Sequence, residues 1–189
     1  VGVDRFIVNT HHSAGMYREK FPDGAWRGRP IFFRHEPVLL DTAGGLKNVE
    51  DLLVDDEAIV CYNGDVISDL PLGPLVESHE RLRPEATLAL RSTGPLLNVD
   101  VNARGEICDL RGALQHPGIG RFLFTGICAL ETALLGHIEP ARPSSIIDLF
   151  LGRIRSHPGS VRAAVIDGGG WTDIGSPEAY HRLQGGPEA

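Results

Sequence analysis

Two acidic side chains stand where the sequence could do phosphate or metal chemistry: Asp65 in CYNGDVISDLPL, residues 61–72, and Asp173 in GGGWTDIGSPEAYHRL, residues 168–183. In the first stretch Asn63-Gly64 ends an apolar run, and a further acid, Asp69, follows four residues after Asp65. Asp65 either shapes an Asn-Gly turn and caps the next segment, or presents its carboxylate to a metal or ligand. In the second stretch three glycines free the backbone and Trp171 anchors it. Ser176 then reads as a helix N-cap, with Pro177 at the first helical position and Glu178 in the first turn. That capping does not consume Asp173, which either bonds within the loop Ile174–Ser176 or meets Asp65 across a cleft. Magnesium takes few carboxylates and fills its shell with water and phosphate oxygens, so two convergent aspartates would suit it.

A third stretch, EPVLLDTAGGLKN over residues 36–48, offers Gly44 and Gly45. They would let backbone approach a flat or anionic ligand, and a helix predicted from Leu46 to Leu53 would turn its positive end toward negative charge. The plain alternative is a loop-to-helix turn capped by Thr42. The pair is neither a P-loop nor a GxGxxG fingerprint.

The histidines carry less. His11 and His12 are adjacent on extended backbone and point to opposite sides, so they are read as helix entry and solvent rather than a chelating pair. His79 lies on an apolar helical face and reads as a packing residue. There is no GxSxG elbow and no Cys/His arrangement that marks a nucleophile.

These residues need a frame. Apolar runs at Phe6–Val8, Ile31–Phe33, Ala58–Tyr62, Ala86–Leu90, Phe122–Leu130 and Val161–Ile166 predict strands, several of them continuous as when both sheet faces are covered. Between them LGPLVESHERL and SSIIDLFLGRIRSH carry helical spacing, the second capped by Ser144 or Ser145. Strand–helix alternation predicts an α/β fold, a sheet with helices on both faces. LLNVDVN and GEICDLRG add a small antiparallel hairpin around Ala103–Gly105. Ligands in such sheets gather beyond the carboxyl ends of the strands, where Asp65 falls.

At 189 residues the chain is expected to form one domain over 1–184 with a frayed tail over 185–189. The net charge of −7 without a block of Lys or Arg argues against a nucleic-acid partner, and no run approaches the ~18 apolar residues of a membrane span. Cys61, Cys108 and Cys128 lack CxxC spacing and read as core residues of a reducing, cytoplasmic setting. Val1 opens the sequence and Met16 is its one methionine, so upstream residues are expected.

DRFIVNTHH, EPVLLDTAGGLKN, VCYNGDVISDLPL, FLFTGICAL and GGWTDIGSPEAY, in this order, resemble the sugar nucleotidyltransferases, the NDP-sugar pyrophosphorylases. The similarity leans toward the mannose-1-phosphate guanylyltransferase and N-acetylmuramate-1-phosphate uridylyltransferase types. It implies a Rossmann-like, mostly parallel sheet and Mg²⁺-dependent transfer of a nucleoside monophosphate from an NTP to a sugar 1-phosphate, with Asp65 and Asp173 as catalytic metal ligands. Substrate would lie against Thr42, Ala43, Gly44 and Gly45 at the base, Thr125 and Gly126 at the sugar, and also against Asn63 and Gly64. His11, His12 and Glu36 would lie near the ligand. The family's glycine-rich GxGTRLxPLT loop and first strand are absent, and DLRGALQHPGIG stands where many relatives carry EKP. On this comparison the chain should bind more than it turns over, and the strand missing between Phe6 and Ile59 would favour a homo-oligomer. The alternatives are a non-catalytic nucleotide-sugar-binding or regulatory domain, or a metal-dependent glycosyltransferase of related fold.

Overall fold

The computed structural model describes residues 2–53 and 58–184, and the tail expected over 185–189 lies outside the described residues. The chain divides into two compact units, Val1–Glu57 with Thr132–Gly152 and Ala58–Glu131 with Arg153–Ala189. Each is taken by itself.

The first unit runs β1 (Phe6–Thr10), α1 (Ala14–Lys20), β2 (Ala25–Trp26), β3 (Arg29–His35) and α2 (Asp41–Asn48). β1 pairs in parallel with β3, Phe6 opposite Ile31 and Thr10 opposite His35, while β2 folds back antiparallel on β3. Aromatic contacts hold the layers. Trp26 meets the edge of Phe6 at 5.5 Å, and Tyr17 and Phe21 tilt onto Phe33 at 6.0 and 6.1 Å between ring centres.

The second unit begins with β4 (Ala58–Tyr62), β5 (Val66–Ser68), α3 (Gly73–Leu82), β6 (Ala86–Arg91), β7 (Val99–Val101), β8 (Ile107–Leu110) and β9 (Gly120–Glu131). After α4 (Ile146–Ser156), which spans the boundary of the two units, come β10 (Val161–Val165), β11 (Trp171–Asp173) and α5 (Pro177–Gln184). Its sheet has the order β10-β6-β9-β7-β8, with β4 also on β9, and β11 and β5 form a separate ladder. The α/β expectation holds, and Ala58–Tyr62 is a strand over the predicted residues. The expected mostly parallel pairing does not extend through this sheet. β6 and β10 are parallel, whereas the long β9 runs antiparallel to β4, β6 and β7. Apolar runs do not encode strand direction, which the connections decide.

Local sequence explains the elements. β6 is buried from Ala86 to Leu90, as its continuous apolar run requires. In α3 a proline occupies the first turn, Leu75 and His79 face inward, and Arg83 in a left-handed conformation ends the helix before Pro84. Ser145 caps α4, its hydroxyl accepting from the Ile147 amide at 3.2 Å. The β7–β8 hairpin turns on Gly105, at φ +74°, with the Asn102 side chain accepting from the Arg104 and Glu106 amides. The following DLRGALQHPGIG segment folds over two buried acids. Asp109 accepts from the Leu114 and His116 amides, and Asp100 from Gly118.

Leu75, Val66, Leu70, Ala89, Ile127, Ala129, Ala164 and Ile166 form the core beneath β5 and β11, with Trp171 packed against it. Leu75 is fully buried, so Leu75→Ala is expected to lower unfolding free energy by about 2–5 kcal/mol, measured as a shift of the urea midpoint at constant slope.

His79 is a packing residue as expected, with its own pH signature. Its Nδ1 lies 2.9 Å from the Thr87 hydroxyl, and its Nε2 faces Glu131 at 3.5 Å. Burial lowers its pKa below 6.5, Glu131 and Glu80 pulling back up and Arg83 adding to the decrease. The folded state therefore disfavours the proton. As pH falls through the unfolded value near 6.5, the unfolded chain takes up the proton first and stability is lost, until the folded pKa is passed. Urea unfolding at pH 8 and pH 5 should show this loss, and His79→Leu should shrink it.

Candidate functional site

The ladder between β5 and β11 positions the two acids. Val66 sits opposite Asp173, Ile67 opposite Thr172 and Ser68 opposite Trp171. The ladder continues past Asp173, the Ile174 amide donating to the Asp65 carbonyl at 2.8 Å. Both carboxylates then flank Gly175. A Cβ built there would lie 2.8 Å from Asp65 Oδ2 and 3.1 Å from Asp173 Oδ1. The structure thus brings the two sequence-predicted acids to one point, with both residues exposed. Asp173 Oδ1 also accepts from the Gly175 amide at 2.8 Å, while no partner among the described residues holds the Asp65 carboxylate.

Neighbouring motifs brace this pair. Asp69 binds the glycine run, accepting from the Gly170 amide. Gly169, at φ +81°, passes so close to Asp69 that a Cβ would meet its carbonyl oxygen at 2.8 Å. The Trp171 indole donates to the Thr125 carbonyl at 2.9 Å, the anchoring expected of it. Ser176 caps α5, its hydroxyl accepting from the Ala179 amide at 3.1 Å. Asn63 lies against Gly126, its amide donating to the Gly126 carbonyl at 3.0 Å, and Gly126 is in the left-handed region at φ +78°. A side chain on Gly126 would strike Asn63 Nδ2 at 2.8 Å, whereas Gly64 faces open space.

Thr125 is fully buried and its hydroxyl donates to the Ala89 carbonyl at 2.8 Å. Its side chain fastens β9 to β6 instead of facing outward. Arg91 is a residue that sequence reasoning missed. Together with Thr93, Gly94, Pro95, Trp171, Thr172 and Asp173 it lines a cleft of about 340 Å³. Its guanidinium donates to the Gly169 and Asp167 carbonyls at 2.9 and 3.3 Å. Asp167 in turn accepts from the Ser92 amide and hydroxyl, which hold its pKa below the usual carboxylate value. The signal was available, since Arg91 ends a buried strand just as Asp65 follows one.

In the first unit the TAGG residues take a different form from the one expected. α2 starts at Asp41 instead of Leu46, and Gly44 and Gly45 lie buried inside it. The chain itself demands their smallness. A Cβ on Gly44 would come within 2.5 Å of the Arg142 carbonyl oxygen, and one on Gly45 would overlap the Asn9 side chain and approach Glu36 Oε1 at 2.9 Å. The helix amides are also occupied. Ala43 and Gly44 donate to the Ser144 carbonyl at 2.9 and 3.2 Å, and the Thr42 amide to Asp41 Oδ1 at 2.6 Å. Asp41, at φ +59°, supplies the capping carboxylate in place of Thr42. Of Thr42, Ala43, Gly44 and Gly45, Thr42 alone is not buried. Glu36 is buried and acts as a clamp, accepting from Asn9 Nδ2 at 2.8 Å and the Leu40 amide at 3.1 Å. His11 Nδ1 lies 2.7 Å from the Glu36 carbonyl, and both His11 and His12 are exposed.

Among the described residues no group of three or more His, Cys, Asp or Glu could hold a metal. Asp65 and Asp173 are two exposed carboxylates at one place, and a magnesium ion takes few carboxylates and keeps several waters.

This fold is that of the sugar nucleotidyltransferases. The chain superposes on a putative glucose-1-phosphate thymidylyltransferase from Bacillus anthracis with a TM-score of 0.75 over 95% of its length and 74% of that chain, at 20% identity. In sequence the chain is a relative of mannose-1-phosphate guanylyltransferases. It is 25% identical over 184 residues to the Mycobacterium tuberculosis protein of that name, covering 96% of this chain and 51% of that one. To the probable mannose-1-phosphate guanylyltransferase 3 of Arabidopsis thaliana it is 31% identical over 160 residues, covering 79% and 46%. The chain thus spans about half the length of the curated relatives it matches. No family model matches it.

Proposed function

We propose that this chain serves the transfer of a nucleoside monophosphate from an NTP to a sugar 1-phosphate, forming an NDP-sugar and pyrophosphate. The observation that carries the reading is the meeting of the Asp65 and Asp173 carboxylates beside Gly175, in a chain whose relatives bear the name of that activity.

The chemistry follows from charge. A sugar phosphate oxygen must approach an α-phosphorus, and both reactants are anions, so neutralisation and alignment matter more than proton transfer. Asp65 and Asp173 would hold the Mg²⁺, which when bound offsets phosphate charge and orients the reacting groups. Both carboxylates are exposed and their meeting point is open to solvent-borne ligands, as such an ion requires. The β5–β11 ladder keeps the acids in register, and Asp69, through Gly170, fixes the loop that carries Asp173. Asn63 and Gly64 would border the phosphates. Gly126 is packed against Asn63, which any side chain there would strike. A cytoplasmic setting agrees with three free thiols.

Pyrophosphate release tests the reading: the four NTPs are paired with mannose 1-phosphate and glucose 1-phosphate, with and without Mg²⁺. Magnesium-dependent NTP binding is expected, with slow release from one pair. Absence of both turnover and magnesium-dependent NTP binding would overturn it.

A further inference from the structure

Cys61 and Cys128 are directly opposite on the antiparallel pair β4 and β9, and the reaction above makes no use of them. Two positions along, the Asn63 amide donates to the carbonyl of its partner Gly126, which marks that pair as hydrogen-bonded. Antiparallel pairs alternate, so Cys61 and Cys128 also occupy a hydrogen-bonded position, with Cα atoms about 5.5 Å apart. That separation falls within the range of about 4.4–6.8 Å that a disulfide spans. Their side chains share one face of the sheet, the face opposite Ile127 and Ala129 of the core described above.

The two thiols are unequal. Cys128 is buried, whereas Cys61 is partly exposed. The Cys128 thiol donates toward the Cys61 sulfur, which lowers the Cys61 pKa, while that bond and burial raise the Cys128 pKa. The reactive thiolate is therefore also the reachable one. The third cysteine differs, since the Cys108 thiol donates to the Asp100 carbonyl at 3.3 Å and burial raises its pKa.

We propose that Cys61 and Cys128 form a reversible dithiol–disulfide couple, oxidised by a peroxide and positioned at the base of the Asp65 loop. The Cys61 thiolate attacks one peroxide oxygen, the O–O bond breaks and hydroxide leaves, giving a sulfenic acid at Cys61. Cys128 loses its proton and attacks that sulfur. The S–O bond breaks, a second hydroxide leaves, and the S–S bond forms. In sum two thiols give up two electrons and two protons, and the peroxide becomes two waters.

Directly opposite Cβ atoms stand about 4.5–5.5 Å apart, whereas a disulfide holds them at about 3.5–4.5 Å. Oxidation must therefore draw β4 and β9 together, and a bond closed against such resistance is easily reduced, the property of a switch rather than of a permanent staple. The tightened pair lies two residues behind the contact of Asn63 with Gly126.

The test treats the reduced full chain with hydrogen peroxide, alkylates it in denaturant and maps the thiols by mass spectrometry. Alkylatable thiols should fall from three to one, Cys108 remaining, with a monomeric chain lighter by two hydrogens and all thiols restored by dithiothreitol. In Cys128→Ser the sulfenic acid at Cys61 should persist and be captured by dimedone. The proposal is overturned if all three thiols of the wild-type chain stay alkylatable, if the bridges are intermolecular, or if Cys108 is consumed alongside Cys61.

Discussion

Asp65→Asn and Asp173→Asn should each weaken Mg²⁺-dependent NTP binding by at least about 100-fold, because even residues that only orient a metal's ligands typically change affinity 10–100-fold. Calorimetry of NTP with and without Mg²⁺ measures it. The asparagine keeps the shape and removes the charge, so the loss should vanish when Mg²⁺ is omitted. The double variant should be little worse than either single one, since two groups that hold one ion act together. Equal binding by wild type and both variants in Mg²⁺ would refute the pairing of these acids on a metal. Asp69→Asn is a contrast. It touches the Gly170 amide and is expected to loosen the β11 segment with a smaller, magnesium-independent effect.

The second large effect concerns Gly44. If its smallness served a ligand, Gly44→Ala would weaken binding and leave the fold alone. Its missing side chain is instead demanded by the Arg142 carbonyl oxygen at 2.5 Å and the Leu40 Cβ at 3.0 Å. These are a backbone oxygen and a Cβ bonded directly to backbone, neither able to swing aside. Overpacking of this kind costs about 1–3 kcal/mol, and contact with a carbonyl places Gly44→Ala at the upper end. Gly152→Ala is the control, a helical position with nothing within 4 Å of the added carbon, expected to gain up to about 1 kcal/mol from helix propensity. Urea titration of the two variants should move the midpoint in opposite directions.

Strands, helices and the acid pair were legible for different reasons. Apolar runs named β6 and β9 because a strand covered on both faces has no polar alternation to blur it. Asp65 stood out because no local turn or cap holds its carboxylate, and Asp173 because the Ser176 cap leaves it out, although one of its oxygens accepts from the Gly175 amide. Strand direction in the second unit was not legible, since β9 has the same composition whichever way it runs. At Gly44 and Gly45 a glycine records only that something comes close. Whether the neighbour is a ligand or the Arg142 carbonyl is decided by residues about a hundred positions away, the kind of long-range contact that sequence patterns do not carry. The same separation hid the partnership of Cys61 with Cys128, two apparently isolated thiols that the β4–β9 register sets face to face.

The bond from Gly170 to Asp69 joins residues 101 positions apart, and it has a bearing on biosynthesis. During translation Asp65 leaves the ribosome long before Asp173 is added, so the nascent protein carries one acid of the pair for most of its elongation. Only when β11 arrives can the two carboxylates meet beside Gly175. A proteolytic cut in the exposed residues 167–170 would return the finished protein to that half-made condition, with the main sheet still folded and the acids parted.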